Sequence, residues 1–273
     1  MFVYAFIGII LGAGLVLPGV SGGVIAVVLG IYEKMIYAFN NFFKSKKENF
    51  LFLLPIGIGT VIGLILFGNV LKFLFDEFYV QSCFSFMGLI LGGVPFLFKK
   101  ATNDKPIKKK YFIGALLISL TLFVLGNNKF NFYTSLDRSF CSILKLILTG
   151  FIFVSGKVIP GISSSFMLMI IGMYEYYLYI ISNPINALFT EIYNVIPIIL
   201  GVILGFVILI KIVSVALEKY NNISYTIITG FVIGSLPAIY PGLEFNFTGL
   251  ISLVLFMSCY FISYKTSTIS NEN

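Results

Sequence analysis

The chain has 273 residues, of which 59% are hydrophobic and 11% charged, and its formal net charge is +7. Soluble domains carry about 25% charged residues, so this composition excludes a water-covered globule and makes the bilayer the expected solvent. The lack of any His excludes a His-based triad or a His metal site; no cofactor is expected, and the surplus of Lys reads as basic loops flanking a membrane rather than a nucleic-acid surface.

In chain order, the first half offers apolar segments at 2–17, 20–32, 50–71, 80–98 and 111–125. The second half offers them at about 146–159, 162–174, 192–210, 224–240 and 245–264. The third and fourth segments of each set are long enough to span a hydrocarbon core of roughly 30 Å. The second segment is too short. From Ser21 to Glu33 a helix would reach about 18 Å, so a re-entrant or broken helix is expected there. Cys83, Cys141 and Cys259 lie far apart, without metal-ligand or redox spacing, and Met1 leads into Phe2-Val3-Tyr4 without the pattern of a secretory signal.

An internal repeat organises these segments. Leu17-Pro18-Gly19-Val20-Ser21 returns as Ile159-Pro160-Gly161-Ile162-Ser163, an offset of 142 positions (18 to 160). The same offset pairs Gly30-Ile31-Tyr32-Glu33 with Gly172-Met173-Tyr174-Glu175, and Pro55, Gly59, Gly63, Gly88, Gly92 and Pro95 with Pro197, Gly201, Gly205, Gly230, Gly234 and Pro237. The expected architecture is an all-α polytopic membrane protein. It consists of an N-terminal repeat over 1–131, a connecting loop over 132–142 and a C-terminal repeat over 143–273, each repeat with a re-entrant or broken helix pair plus about three transmembrane helices. An odd number of crossings per half requires the second copy to be inserted upside down. The charges agree: Lys44, Lys46 and Lys47, and then Lys99 to Lys110, occupy loops whose counterparts near 182–191 and 241–244 contain no Lys or Arg. Inverted repeats of this kind are the arrangement of many secondary transporters.

Pro18-Gly19-Val20-Ser21-Gly22-Gly23 has the chemistry of a helix restart. Proline ends one helix, glycine permits the turn, and Ser21 is placed to cap the next. The first turn of the new helix carries free amides that suit a phosphate or carboxylate, and Gly22 and Gly23 remove the side chains that would keep a ligand away. Pro160, Gly161, Ser163, Ser164 and Ser165 repeat the arrangement with hydroxyls in place of glycines. The bland alternative is that small residues only let helices pack closely.

Lys157, three positions before Pro160, stands where the first half has Leu15. A Lys at the centre of a span costs about 2.5–3.5 kcal/mol. Its charge could be met by an anionic substrate, by carbonyls freed at the Pro-Gly break or by a distant Glu; the rival to a substrate role is snorkelling or local structural pairing. Glu33 and Glu175 are candidates for gating or for holding a coupling ion, H+ or Na+, against the commoner role of solvated interfacial anchors.

Gly12 to Glu33 and Val158 to Glu175 together resemble the two signature blocks of the bacterial polyprenyl-phosphate transporter family, PopT, and the resemblance covers essentially the whole chain. It implies a multi-pass protein of the bacterial cytoplasmic (inner) membrane. Such a protein would return undecaprenyl phosphate, the polyprenyl-phosphate carrier lipid of cell-wall synthesis, from the outer to the inner leaflet. The family commonly has Asp at Leu15, Thr at Val24, Ser-Gly-Ser at Ser163 to Ser165 and an apolar residue at Lys157, so this chain carries a more positive site. The resemblance implies a transporter rather than an enzyme. Two alternatives stay open: a carrier or channel for a small anion, and a lipid pyrophosphate phosphatase. The latter lacks acid–base equipment here, with no His and a single Arg, Arg138, between the halves.

Overall fold

The structure is a computed structural model that describes residues 2–15, 22–102, 106–127, 139–182, 186, 189–242 and 245–269. Every regular element among the described residues is helical. The first half contains α1 (Phe2–Leu15), α2 (Gly22–Val28), α3 (Tyr32–Asn40), α4 (Lys46–Glu77), α5 (Tyr79–Thr102) and α6 (Lys109–Asn127). The second contains α7 (Phe140–Val158), α8 (Ser164–Ile170), α9 (Tyr174–Ser182), α10 (Ile192–Lys219), α11 (Asn221–Gly234) with a 3-10 turn at Leu236–Ala238, and α12 (Phe247–Ile269).

Among the described residues, five helices are long and apolar enough to cross a membrane: α5, α7, α10, Lys46–Phe67 within α4 and Phe247–Lys265 within α12. They retain a wide apolar exterior, including Ile58, Val61, Ile65, Ile203, Val207 and Ile212, which a bilayer would cover. Two boundaries depart from the expected segments. Helix α7 begins at Phe140, inside the stretch expected to be a connecting loop, because Ser139 accepts a cap hydrogen bond from the Ser142 amide. Helix α11 stops at Gly234, short of the expected 240, and the chain turns through Pro237.

The short second segments are also resolved further than their sequence suggests. Helix α2 ends at Val28, and Gly30 takes a left-handed conformation at φ +70°. Its amide bonds to Val27 O, and Ile31 N bonds to Ala26 O, the paired contacts of a Schellman ending. Gly172, at φ +68°, ends α8 in the same way, with Gly172 N on Met169 O and Met173 N on Leu168 O. Glu33 and Glu175 therefore stand in the first turns of separate helices, α3 and α9, and not at the far ends of single 12-residue half-helices.

Glycine sets the helix pairing. A Cβ on Gly8 would lie 2.3 Å from Ile56 O, and one on Gly12 would lie 2.1 Å from Thr60 O, so α1 and α4 run parallel in backbone contact. Gly150 and Gly201 bring α7 and α10 together in the same manner, with a Cβ at 2.1 Å from Ile198 O and 1.9 Å from Ile147 O, respectively. Gly88 and Gly92 seat α5 on α12, while Gly230 and Gly234 seat α11 on α6. Each of these two pairs joins one half to the other. For most of the repeated glycines close packing is the full explanation. Buried hydroxyls return to their own helix: Thr149 donates to Lys145 O at 2.8 Å and Thr229 to Tyr225 O at 2.6 Å.

Candidate functional site

The second Pro-Gly motif is the better defined. Helix α7 ends at Val158 because Ile159 turns to extended backbone and Pro160 has no amide to continue the ladder. Gly161 sits at φ +82°, and a Cβ there would lie 2.6 Å from the main chain of Phe231 and Val232, so both conformation and space demand glycine. The chain then folds back. Gly156 would place a Cβ 2.5 Å from the Ser164 amide, and Ser155 Oγ approaches Met167 Sδ at 3.7 Å. Residues eight to twelve apart in a continuous helix would stand about 12 to 18 Å apart, so α8 doubles back on α7. Phe166 of α8 packs edge-on to Phe123 of α6, at 5.7 Å between ring centroids.

The start of α2 meets this break. A Cβ on Gly23 would lie 3.2 Å from Pro160 Cα and 3.3 Å from Lys157 O, so the main chain of the first motif is seated against that of the second. Gly22 opens α2; Pro18, Gly19 and Ser21 lie outside the described residues. Ser163 occupies the N-cap position of α8, yet its hydroxyl makes no cap hydrogen bond. Ser164 is buried against Gly156, Ser165 is half-buried, and Pro160 and Gly161 are buried.

Lys157 is half-buried, with its ammonium 5.5 Å from the centre of the Phe153 ring. Among the described residues it forms no ion pair. One of the carbonyls freed at the break is taken by another residue: Tyr32 of α3, buried, donates to Val158 O at 2.6 Å. Neighbouring positions on α3 extend the connections. Glu33 accepts from the Tyr225 hydroxyl of α11 at 2.5 Å and pairs with Lys100 of α5 at 3.6 Å. Lys34 donates to the Tyr4 hydroxyl of α1 at 2.8 Å.

The two candidate carboxylates thus differ. Glu33 joins three helices, whereas Glu175 is exposed on α9. Its neighbour Tyr176 instead donates to Glu191 at the start of α10. Tyr32, Lys100 and Tyr225 were not among the expected site residues. The repeat of Tyr32 at Tyr174 marked the position, but its partner lies 126 residues away and cannot be read from local pattern. No group of three His, Cys, Asp or Glu that could hold a metal occurs among the described residues.

Among the described residues, the second break thus brings together a helix restart, small residues, serine hydroxyls and a Lys157 ammonium that pairs with no carboxylate. The undecaprenyl phosphate translocase-like family matches residues 11–249. The chain belongs to that family. One of its relatives, a polyprenyl-phosphate transporter of Staphylococcus aureus, is 32% identical over 271 residues, covering 97% of this chain and 96% of the relative. Another, a polyprenyl-phosphate transporter of Vibrio cholerae, is 27% identical over 252 residues, covering 87% of this chain and 77% of the relative. No solved structure matches the chain. Five apolar helices in a member of this translocase-like family make it a multi-pass membrane protein.

Proposed function

We propose that this protein carries polyprenyl phosphate across the bacterial cytoplasmic membrane, taking undecaprenyl phosphate from the outer to the inner leaflet for reuse of the carrier lipid. The observation that carries this reading is the seating of Gly23 against Pro160 and Lys157, beside an ammonium that has no carboxylate partner among the described residues. The family match and the transporter relatives support the same lipid. In this reading the phosphate is held by amides and hydroxyls around Ser21 to Gly23 and Ser163 to Ser165, with Lys157 offsetting its charge. The isoprenoid tail stays in lipid. Without such a seat, moving the headgroup would place an unpaired ion in hydrocarbon.

We further propose that the two halves are inverted repeats that rock against each other. Support comes from the helix directions. Asn222, at the start of α11, donates to Ala101 O near the end of α5, so α5 arrives at the face from which α11 departs. Equivalent helices then run in opposite senses, and α5 pairs in parallel with α12 of the other copy. Lys44, Lys46, Lys100 and Lys219 gather at that face, which the positive-inside rule makes cytoplasmic. Glu33, with Tyr225 and Lys100, acts as a gate latch on this face, and Glu175 is its unlatched counterpart on the other.

The test is lipid transport in reconstituted vesicles. Lys157→Ala and Ser21→Ala each lower transport by about tenfold or more, the loss expected for a charge-assisted contact of about 1.5–3 kcal/mol. Full transport by the double variant, at normal folded yield, rejects the seat.

A further inference from the structure

Outside the motif site, an open groove of about 1270 Å³ lies between the end of α3, the turn after it, the first half of α4 and the second half of α10. Its walls are almost wholly apolar, and side chains such as Phe43 (81% exposed) and Val207 (61% exposed) have no cover within the chain. Two cations break this surface, Lys44 in the turn and Lys211 in α10. Both are exposed, and among the described residues neither forms an ion pair. Among the described residues, no acidic side chain lines the groove. Lys211 lies eight residues before the end of a spanning helix at Lys219, about 12 Å along its axis.

We propose that this groove is a second lipid site, which receives the tail of polyprenyl phosphate and holds its terminal phosphate between Lys44 and Lys211 before or after passage through the motif site. The identity of the lipid rests on the transport reading above; the site does not. Charge selects the occupant. A phosphate monoester carries about −1.5 to −2 near neutral pH, which matches two unpaired lysines. The phosphodiester of an ordinary bilayer lipid carries a single charge and leaves one lysine unmet. The back wall of the groove is the seam between α3 and α10. It is closed by an edge-on contact of Phe39 with Phe206 at 5.0 Å and by Asn40 donating to Ser214 Oγ at 3.0 Å. Helix α3 therefore stands between groove and motif: Phe39 and Asn40 at one end face the groove, and Tyr32 at the other holds the Val158 carbonyl.

The experiment uses the full chain in phosphatidylcholine nanodiscs and a polyprenyl monophosphate probe with a photoactivatable diazirine in the first units of its tail, the labelled peptides being mapped by mass spectrometry. Labelling within 50–62 and 206–215 is expected to be displaced by unlabelled polyprenyl monophosphate but not by equal phosphatidylglycerol. In the Lys44→Gln/Lys211→Gln variant it falls by about tenfold or more, while labelling within 153–165 is retained. Both lysines are exposed, so the variant keeps its melting temperature. The proposal is overturned by groove labelling that persists in the variant, that occurs equally with a diazirine polyprenol lacking phosphate, or that phosphatidylglycerol displaces. Labelling near 153–165 without groove labelling sinks the groove and spares the transport reading. Absence of both labels together with absence of transport sinks both.

Discussion

The Tyr32 hydroxyl donates to the main-chain carbonyl of Val158 at 2.6 Å, joining the first turn of α3 to the last residue of α7 across 126 positions of sequence. Pro160 and the turn after it leave the last carbonyls of α7 without the amide donors a continuing helix would supply, so an outside donor is needed. Tyr32→Phe keeps the ring and deletes the donor. It is expected to cost about 1–3 kcal/mol, the range for leaving a buried polar group unsatisfied, read as a lower melting temperature of the purified protein. Tyr174→Phe, at the equivalent position on the half-buried side of α9, serves as the comparison, and an equal loss there would remove the special role given to Tyr32.

Glu33→Gln separates stability from gating. Its side chain is 41% exposed and that of Lys100 is 36% exposed, so solvent screens their pairing and the substitution costs less than about 1 kcal/mol. The Tyr225 hydroxyl still finds an acceptor in the amide oxygen of Gln. Transport rate changes while the melting temperature stays nearly constant, and added salt mimics part of the effect in the native protein. Glu175→Gln, on the exposed counterpart, changes transport less. A large drop in melting temperature for Glu33→Gln would make the carboxylate a structural residue and not a latch.

Much of this organisation is legible in the sequence, for a physical reason. Backbone-to-backbone contact tolerates only glycine, so the pairing of α1 with α4 and of α7 with α10 prints Gly8, Gly59 and Gly63 and then Gly150, Gly201 and Gly205 at one offset. Schellman endings print Gly30 and Gly172 likewise. Hydropathy exposes α4, α5 and α10 because lipid demands apolar surface over a fixed length, whereas the expected span at 224–240 is the 14-residue α11 and its turn. What pattern does not carry is proximity between distant segments. Lys100 reads as one basic residue in a loop, yet it lies in the last turn of α5 within reach of Glu33. Asn40 and Ser214 are unremarkable polar residues until α3 is laid on α10. The start of α7 is misjudged because Ser139, an ordinary loop serine by composition, is a helix cap.

Close packing at the motif makes a sharper prediction than the motif's chemistry. Gly156→Ala would set a methyl 2.5 Å from the Ser164 amide and 2.7 Å from its Cβ, and the main chain at the start of α8 cannot yield as a flexible side chain would. The expected cost is about 1–3 kcal/mol of overpacking, with lipid transport lost as α8 is displaced. Gly114→Ala in α6 meets nothing within 4 Å and should stabilise the protein by about 0.5–1 kcal/mol through helix propensity alone. Melting temperatures that move in the same direction for both variants would contradict the packing assigned here.

Sidedness can be tested with the native cysteines. Cys141 is exposed in the first turn of α7, Cys83 is buried and Cys259 is partly covered. A Cβ on Gly201 would lie 1.9 Å from Ile147 O and one on Gly205 3.1 Å from Phe151 Cα, so α7 and α10 run parallel and Cys141 is level with the first turns of α10, opposite the end that carries Lys219. If the lysine-rich face is cytoplasmic, Cys141 faces the outside. A membrane-impermeant maleimide added to intact cells or spheroplasts should then label Cys141 rapidly and leave Cys83 unlabelled, and Cys141→Ser should abolish the fast reaction. Labelling of Cys141 only after the membrane is opened would reverse the orientation. The same result would move the Glu33 latch to the outer face, because Lys100, Tyr225 and Glu33 share the end of the molecule from which Cys141 is farthest.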